Sequence, residues 1–117
     1  MATVLIADDN HWTRSSVRDA LEALGMTVLE RVDGAEAIDA VREHDPDAAV
    51  FDLVMPVCDG IEALRRIRRE GRELPVLAYS TGDCAYPDFA LKLGADYVAD
   101  IRNGGSAVAA QVRKVVN

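Results

Sequence analysis

Ala48-Ala49-Val50-Phe51-Asp52, continuing as Leu53-Val54-Met55-Pro56-Val57-Cys58-Asp59-Gly60, is the stretch on which the fold turns. Val50 and Phe51 are apolar on both alternating faces, as in a strand covered on both sides in the middle of a parallel sheet. The run ends on a carboxylate. Pro56 restrains the loop that follows, and Asp59 with Glu62 makes a capping-box-like pair that opens a helix. Outward from this unit the same alternation repeats, with apolar runs at 3–7, 27–30, 75–80 and 97–100. Between the runs lie helical spacings. Val17, Ala20, Leu21 and Leu24 follow i, i+3, i+4, i+7, as do Tyr86, Phe89, Ala90 and Leu93. Ile61, Leu64 and Ile67 mark a third helix, and Val108, Val112 and Val115 a C-terminal one. Asp33 and Glu36 make a second capping pair, while Gly25, Gly71 and Gly94 fall where helices should stop.

Five strands alternating with five helices predict an α/β fold with a parallel sheet covered on both faces. Val4–Ala7 and Val76–Ala78 share the two-sided apolar character of the central run, whereas the second and fifth runs bring Glu30, Arg31, Asp96 and Asp100. That partition puts the second and fifth strands at the edges. It fits order 2-1-3-4-5, the doubly wound, flavodoxin-like (βα)5 arrangement, whose ligand site lies beyond the carboxyl ends of the strands. Residues 1–117 read as one domain, with no output domain among them.

Composition narrows the function. The net charge of −7 opposes direct binding of nucleic acid. The arginines at 65, 66, 68, 69 and 72 read as a solvated helix face. No apolar run approaches the ~20 residues of a membrane span, and the N-terminus lacks a basic region and cleavage site, so a cytoplasmic location is expected. Cys58 and Cys84 have neither metal-site nor disulfide spacing and read as free thiols. No glycine-rich loop follows the first strand, which speaks against a nucleotide or flavin carrier.

Chemistry concentrates in three acids. Asp8 and Asp9 follow the first strand and Asp52 ends the third. With those strands adjacent, three carboxylates crowd one edge and repel one another unless a hard cation relieves them. Mg²⁺ suits a site with few carboxylates, waters and a phosphate. Asp8-Asp9, then Asp52-Leu53-Val54-Met55-Pro56 with Asp59-Gly60, then Pro75 through Ser80 together resemble the response-regulator receiver domains of two-component signalling, the CheY-like superfamily. The resemblance covers the whole chain, and it is the combination in this order that is specific.

What the resemblance implies can be set out residue by residue. Asp52 would accept a phosphoryl group from a histidine kinase or phosphotransfer protein. Asp9 and Asp52 would bind Mg²⁺ with the Val54 carbonyl, Asp8 acting mainly through water. Ser80 and the Thr81 N–H would hold the phosphoryl group, and Tyr97 would be the switch aromatic. The face made by the fourth helix, fifth strand and fifth helix would serve an effector protein or a second copy. Such a domain catalyses its own phosphorylation and is no turnover enzyme. An aspartyl-nucleophile phosphohydrolase fits less well, since no D-x-D pair follows the first strand. Val54 and Gly82, two residues past Asp52 and Ser80, cannot position an attacking water, so slow dephosphorylation is expected.

One family feature is missing. Receivers place a lysine at the end of the fifth strand, followed by proline. Counting from Tyr97 puts Asp100 there, and a gapless count from Gly94 puts Ile101 there. The only lysines are Lys92 and Lys114, and Arg102 is the nearest substitute cation. A charge-assisted bond of this kind contributes roughly 1.5–3 kcal/mol. Two readings follow: a working receiver with altered kinetics, or a pseudo-receiver that docks partners independently of phosphate.

Overall fold

The computed structural model describes residues 2–53, 55, 58–79, 86–99, 101 and 104–116. Within them the chain alternates as read. β1 (Thr3–Ala7), β2 (Thr27–Arg31), β3 (Ala48–Asp52), β4 (Val76–Tyr79) and β5 (Tyr97–Ala99) are separated by α1 (His11–Ala23), α2 (Gly34–His44), α3 (Gly60–Arg69) and α4 (Tyr86–Leu93), and α5 (Gly105–Val116) closes the series. All strand pairs are parallel and the order is β2-β1-β3-β4-β5, as the distribution of charge predicted.

The pleat divides the core into two. Leu5, Ala7, Phe51 and Ala78 face α2, α3 and α4, packing on Ile38, Val41, Leu64, Ile67 and Ala90. Val4, Ile6, Val50, Leu77 and Tyr79 face α1 and α5, packing on Val17, Leu21, Val108 and Val112. Successive residues serve opposite layers, so the three central strands must be apolar throughout. Leu24 departs from its expected place. It caps the end of α1 and is exposed, because the stripe that began at Val17 has by then turned off the core.

Local signals act as read. Asp33 accepts from the Glu36 N–H at 2.8 Å and Asp59 from the Glu62 N–H at 2.9 Å, each satisfying an otherwise orphaned helix donor. Gly25, Gly71 and Gly94 take positive φ where α1, α3 and α4 end. The polar residues of the edge strands are paired. Glu30 on β2 meets Arg14 at 3.0 Å and Arg18 at 3.2 Å, both from α1. The arginine-rich helix is only partly the solvated face expected of it. Arg66 pairs with Glu62 on the surface at 3.0 Å. Arg68 instead turns inward, donating to the carbonyls of Gly94, Arg72 and Leu74 at 2.8–3.0 Å and to Asp96 at 3.1 Å. It ties the end of α3 to the entries of β4 and β5. Among the described residues, no helix is long and apolar enough to cross a membrane.

Candidate functional site: an acid cluster at the carboxyl edge of the sheet

The β1–β3 register pairs Ala7 with Phe51, so the next residues, Asp8 and Asp52, emerge side by side. With Asp9 they form a cluster in which one carboxylate oxygen from each lies within 4.8 Å of the others. Asp8 is fully buried, Asp52 is 5% exposed and Asp9 faces solvent. This is a donor set of oxygens alone, from two buried acids and one accessible acid, and it fits a hard divalent cation that keeps several waters. Asp9 and Asp52 are suited to direct ligation, and Asp8 to a role behind them.

Asp8 is held on every side. Its Oδ1 accepts from the Asn10 N–H at 2.8 Å, its backbone N–H donates to the Arg31 carbonyl at 3.1 Å, and Arg14 Nη1 donates to its carbonyl at 2.8 Å. Its Oδ2 accepts from the hydroxyl of Tyr79, the last residue of β4, paired in register with Asp52. Tyr79 is completely buried. That burial, and then the Asp8 and Asp52 carboxylates beside it, push the phenol far above its ordinary pKa, with Arg14 opposing weakly. It therefore stays protonated and acts as a donor.

The segment after β3 is drawn in tightly. The Gly60 N–H donates to the Leu53 carbonyl at 3.3 Å, and a Cβ at Gly60 would stand 2.2 Å from the Asp52 carbonyl oxygen. Only glycine lets α3 start this close to the Asp52 backbone. The Gly34 N–H donates to the Cys58 carbonyl at 2.7 Å, seating the same loop on the start of α2.

Comparison with known proteins gives this geometry a family. Residues 4–100 match the model of the response regulator receiver domain. The chain belongs to the response regulator receiver family. Among relatives of this receiver, the response regulator MprA of Mycobacterium sp. (strain KMS) is 38% identical over 94 residues, covering 80% of this chain and 41% of MprA. The chain thus spans less than half the length of the curated relatives it matches. The receiver domain of the Francisella response regulator 1452 superposes with a TM-score of 0.91 at 26% identity, covering 99% of this chain and 97% of that one. The response regulator domain of Thermotoga maritima CheB gives 0.84 at 27% identity, covering 100% and 97%.

The receiver brings together Asp8, Asp9 and Asp52, the three acids that sequence singled out. Tyr97 lies on edge strand β5 and is 42% exposed. Ile101, one of two residues counted to the lysine position, packs against the core on the α1–α5 side. Val54, Ser80, Thr81, Asp100 and Arg102 lie outside the described residues. Trp12 is 81% exposed, its ring set edge-on to His11 at 5.6 Å. Burial pushes the Cys58 thiol above its ordinary pKa, with Arg66 opposing, which suits an inert thiol better than a redox switch. Sequence reasoning missed Tyr79. An aromatic within an apolar run reads as core, and only its strand-end position hinted at more.

Proposed function

We propose that this receiver is phosphorylated on Asp52 by a histidine kinase or a phosphotransfer protein, with the assistance of Mg²⁺. The observation that carries this reading is the buried Asp52 carboxylate at the end of a central strand, clustered with Asp8 and Asp9. A carboxylate oxygen of Asp52 attacks phosphorus, a P–O bond to Asp52 forms, and the bond to the donor's histidine nitrogen breaks with its electron pair leaving on nitrogen. The transition state spreads charge over three equatorial oxygens, so its stabilisation rests on positioning and electrostatics. A bound Mg²⁺ would supply positive charge to those oxygens, held by Asp9, Asp52 and the Val54 carbonyl, with Asp8 acting through water. Ser80 and the Thr81 N–H donate to the phosphoryl oxygens. Tyr97 changes its packing in response and alters the α4–β5–α5 face, through which an effector or a second copy docks. Exposed Trp12, at the start of α1 beside Asp9, is available to the incoming phosphodonor. The domain performs one transfer onto itself and does not turn over substrate.

The test is chemical mapping of the acceptor. After exposure to acetyl phosphate and Mg²⁺, borohydride reduction converts an aspartyl phosphate to homoserine, and peptide mass locates it. Homoserine at position 52 is the expected result. Absence of any modified aspartate in folded protein would instead support docking independent of phosphate.

A further inference from the structure

A side chain from strand four to which the family resemblance gives no role reaches one member of the acid cluster. Both oxygens of buried Asp8 are taken, Oδ1 by the Asn10 N–H at 2.8 Å and Oδ2 by the Tyr79 hydroxyl. Tyr79 comes from β4, beside Asp52, and its ring is sealed between the sheet and the α1–α5 layer. Among the described residues, neighbouring cations are committed or remote. Arg14 directs Nε to Glu30 at 3.0 Å and Nη1 to the Asp8 carbonyl at 2.8 Å, not to its carboxylate. Lys92 and Lys114 are exposed on α4 and α5. Ile101 is apolar and packed.

We infer that Tyr79 is a positioning residue of the phosphoryl-accepting site: its hydroxyl fixes Asp8 as the carboxylate behind the metal. This rests on reading the cluster as an Mg²⁺ site. A phenol differs from an ammonium in one consequential way. It satisfies a carboxylate oxygen and sets its direction without adding positive charge, so it orients Asp8 without competing with a cation for it. Outer donors that orient metal-binding groups typically change metal affinity 10–100-fold when removed.

The experiment is a double-mutant cycle on Mg²⁺ affinity, measured by isothermal titration with the metal alone for wild type, Tyr79→Phe, Asp8→Asn and the double variant. Circular dichroism and the urea midpoint check the fold of each. Tyr79→Phe is expected to weaken Mg²⁺ binding at least about tenfold, and the double variant to bind no more than about twofold weaker than Asp8→Asn, because Tyr79 acts through Asp8. A side chain that merely supports the core would lower the urea midpoint and leave Mg²⁺ affinity alone. Unchanged affinity in folded Tyr79→Phe, or additive losses in the double variant, would overturn the assignment. Should Tyr79→Phe not fold, isotope-labelled tyrosine Cζ carries the test. The Tyr79 resonance must shift on addition of Mg²⁺ to wild type and lose that response in Asp8→Asn; indifference to Asp8→Asn overturns the assignment. Wild type that binds Mg²⁺ but takes up no phosphoryl group defeats the phosphoacceptor reading while leaving Tyr79 as the residue that positions Asp8 toward the metal. Wild type that binds no Mg²⁺ defeats both.

Discussion

The β1–β3 end of the sheet and the β4–β5 end differ in how they handle charge. At the first, Asp8, Asp9 and Asp52 gather within reach of one cation, and Gly60 seats α3 against the Asp52 carbonyl. At the second, the described residues bring a neutral hydroxyl from Tyr79 to Asp8, and Ile101 packs against the core. The acid cluster is assembled by strand order, which sets Asp8 and Asp52 side by side, whereas the described part of the other end reaches it through one neutral side chain. The first arrangement follows from topology, and the second depends on a single residue.

Breaking the acid end should have the largest effect. Asp9→Asn removes the accessible acid of the cluster and is expected to weaken Mg²⁺ at least about 10–100-fold, by analogy with the smaller perturbation of an outer donor. Calorimetric titration checks this, and equal affinity for variant and wild type would remove Asp9 from the site. A middle-sized effect separates the packing of the site from packing elsewhere. A Cβ at Gly60 would stand 2.2 Å from the Asp52 carbonyl oxygen, and one at Gly105 would stand 2.5 Å from the Ser16 carbonyl oxygen, between α5 and α1. Each alanine substitution should cost about 1–3 kcal/mol by overpacking, read from the urea midpoint. Only Gly60→Ala should also slow phosphoryl uptake per folded molecule. Equal slowing in both would mean that uptake tracks stability, not the seating of α3.

The smallest effect lies away from both ends. Arg42 on α2 holds the Glu70 carboxyl, at the end of α3, down to about 2 from an ordinary 4.5, with Arg72 assisting. A carboxyl lowered on folding stabilises above its unfolded pKa and loses that contribution as pH falls through the folded value. The stability difference between wild type and Glu70→Gln should therefore shrink between about pH 4.5 and pH 2. Both groups are solvated, so the effect is slight. Urea midpoints across that range measure it, and a difference flat with pH would contradict the pairing. Phosphoryl uptake at neutral pH should be the same in this variant as in wild type.

Much of this was legible in the residues. Period-2 and period-3.6 patterns located the elements, and two-sided apolar runs against charged ones assigned centre and edge. Strand order then brought Asp8 and Asp52 together, because adjacency follows from topology once the centre is known. Tyr79 and Arg68 were not legible. Tyr79 reaches an acceptor 71 residues away, and Arg68 caps a carbonyl 26 residues on, while reading locally as core and as surface. Long polar side chains find partners through tertiary placement, which periodicity does not encode.

The account stands on Asp52 accepting phosphate without a strand-five lysine. Intact mass after incubation with acetyl phosphate, with Mg²⁺ or with a chelator, and for wild type beside Asp52→Asn, tests this most directly. A gain of one phosphoryl group in wild type with Mg²⁺, lost in the chelated sample and in Asp52→Asn, is the predicted result. No gain in correctly folded wild type, or an equal gain in Asp52→Asn, would contradict it.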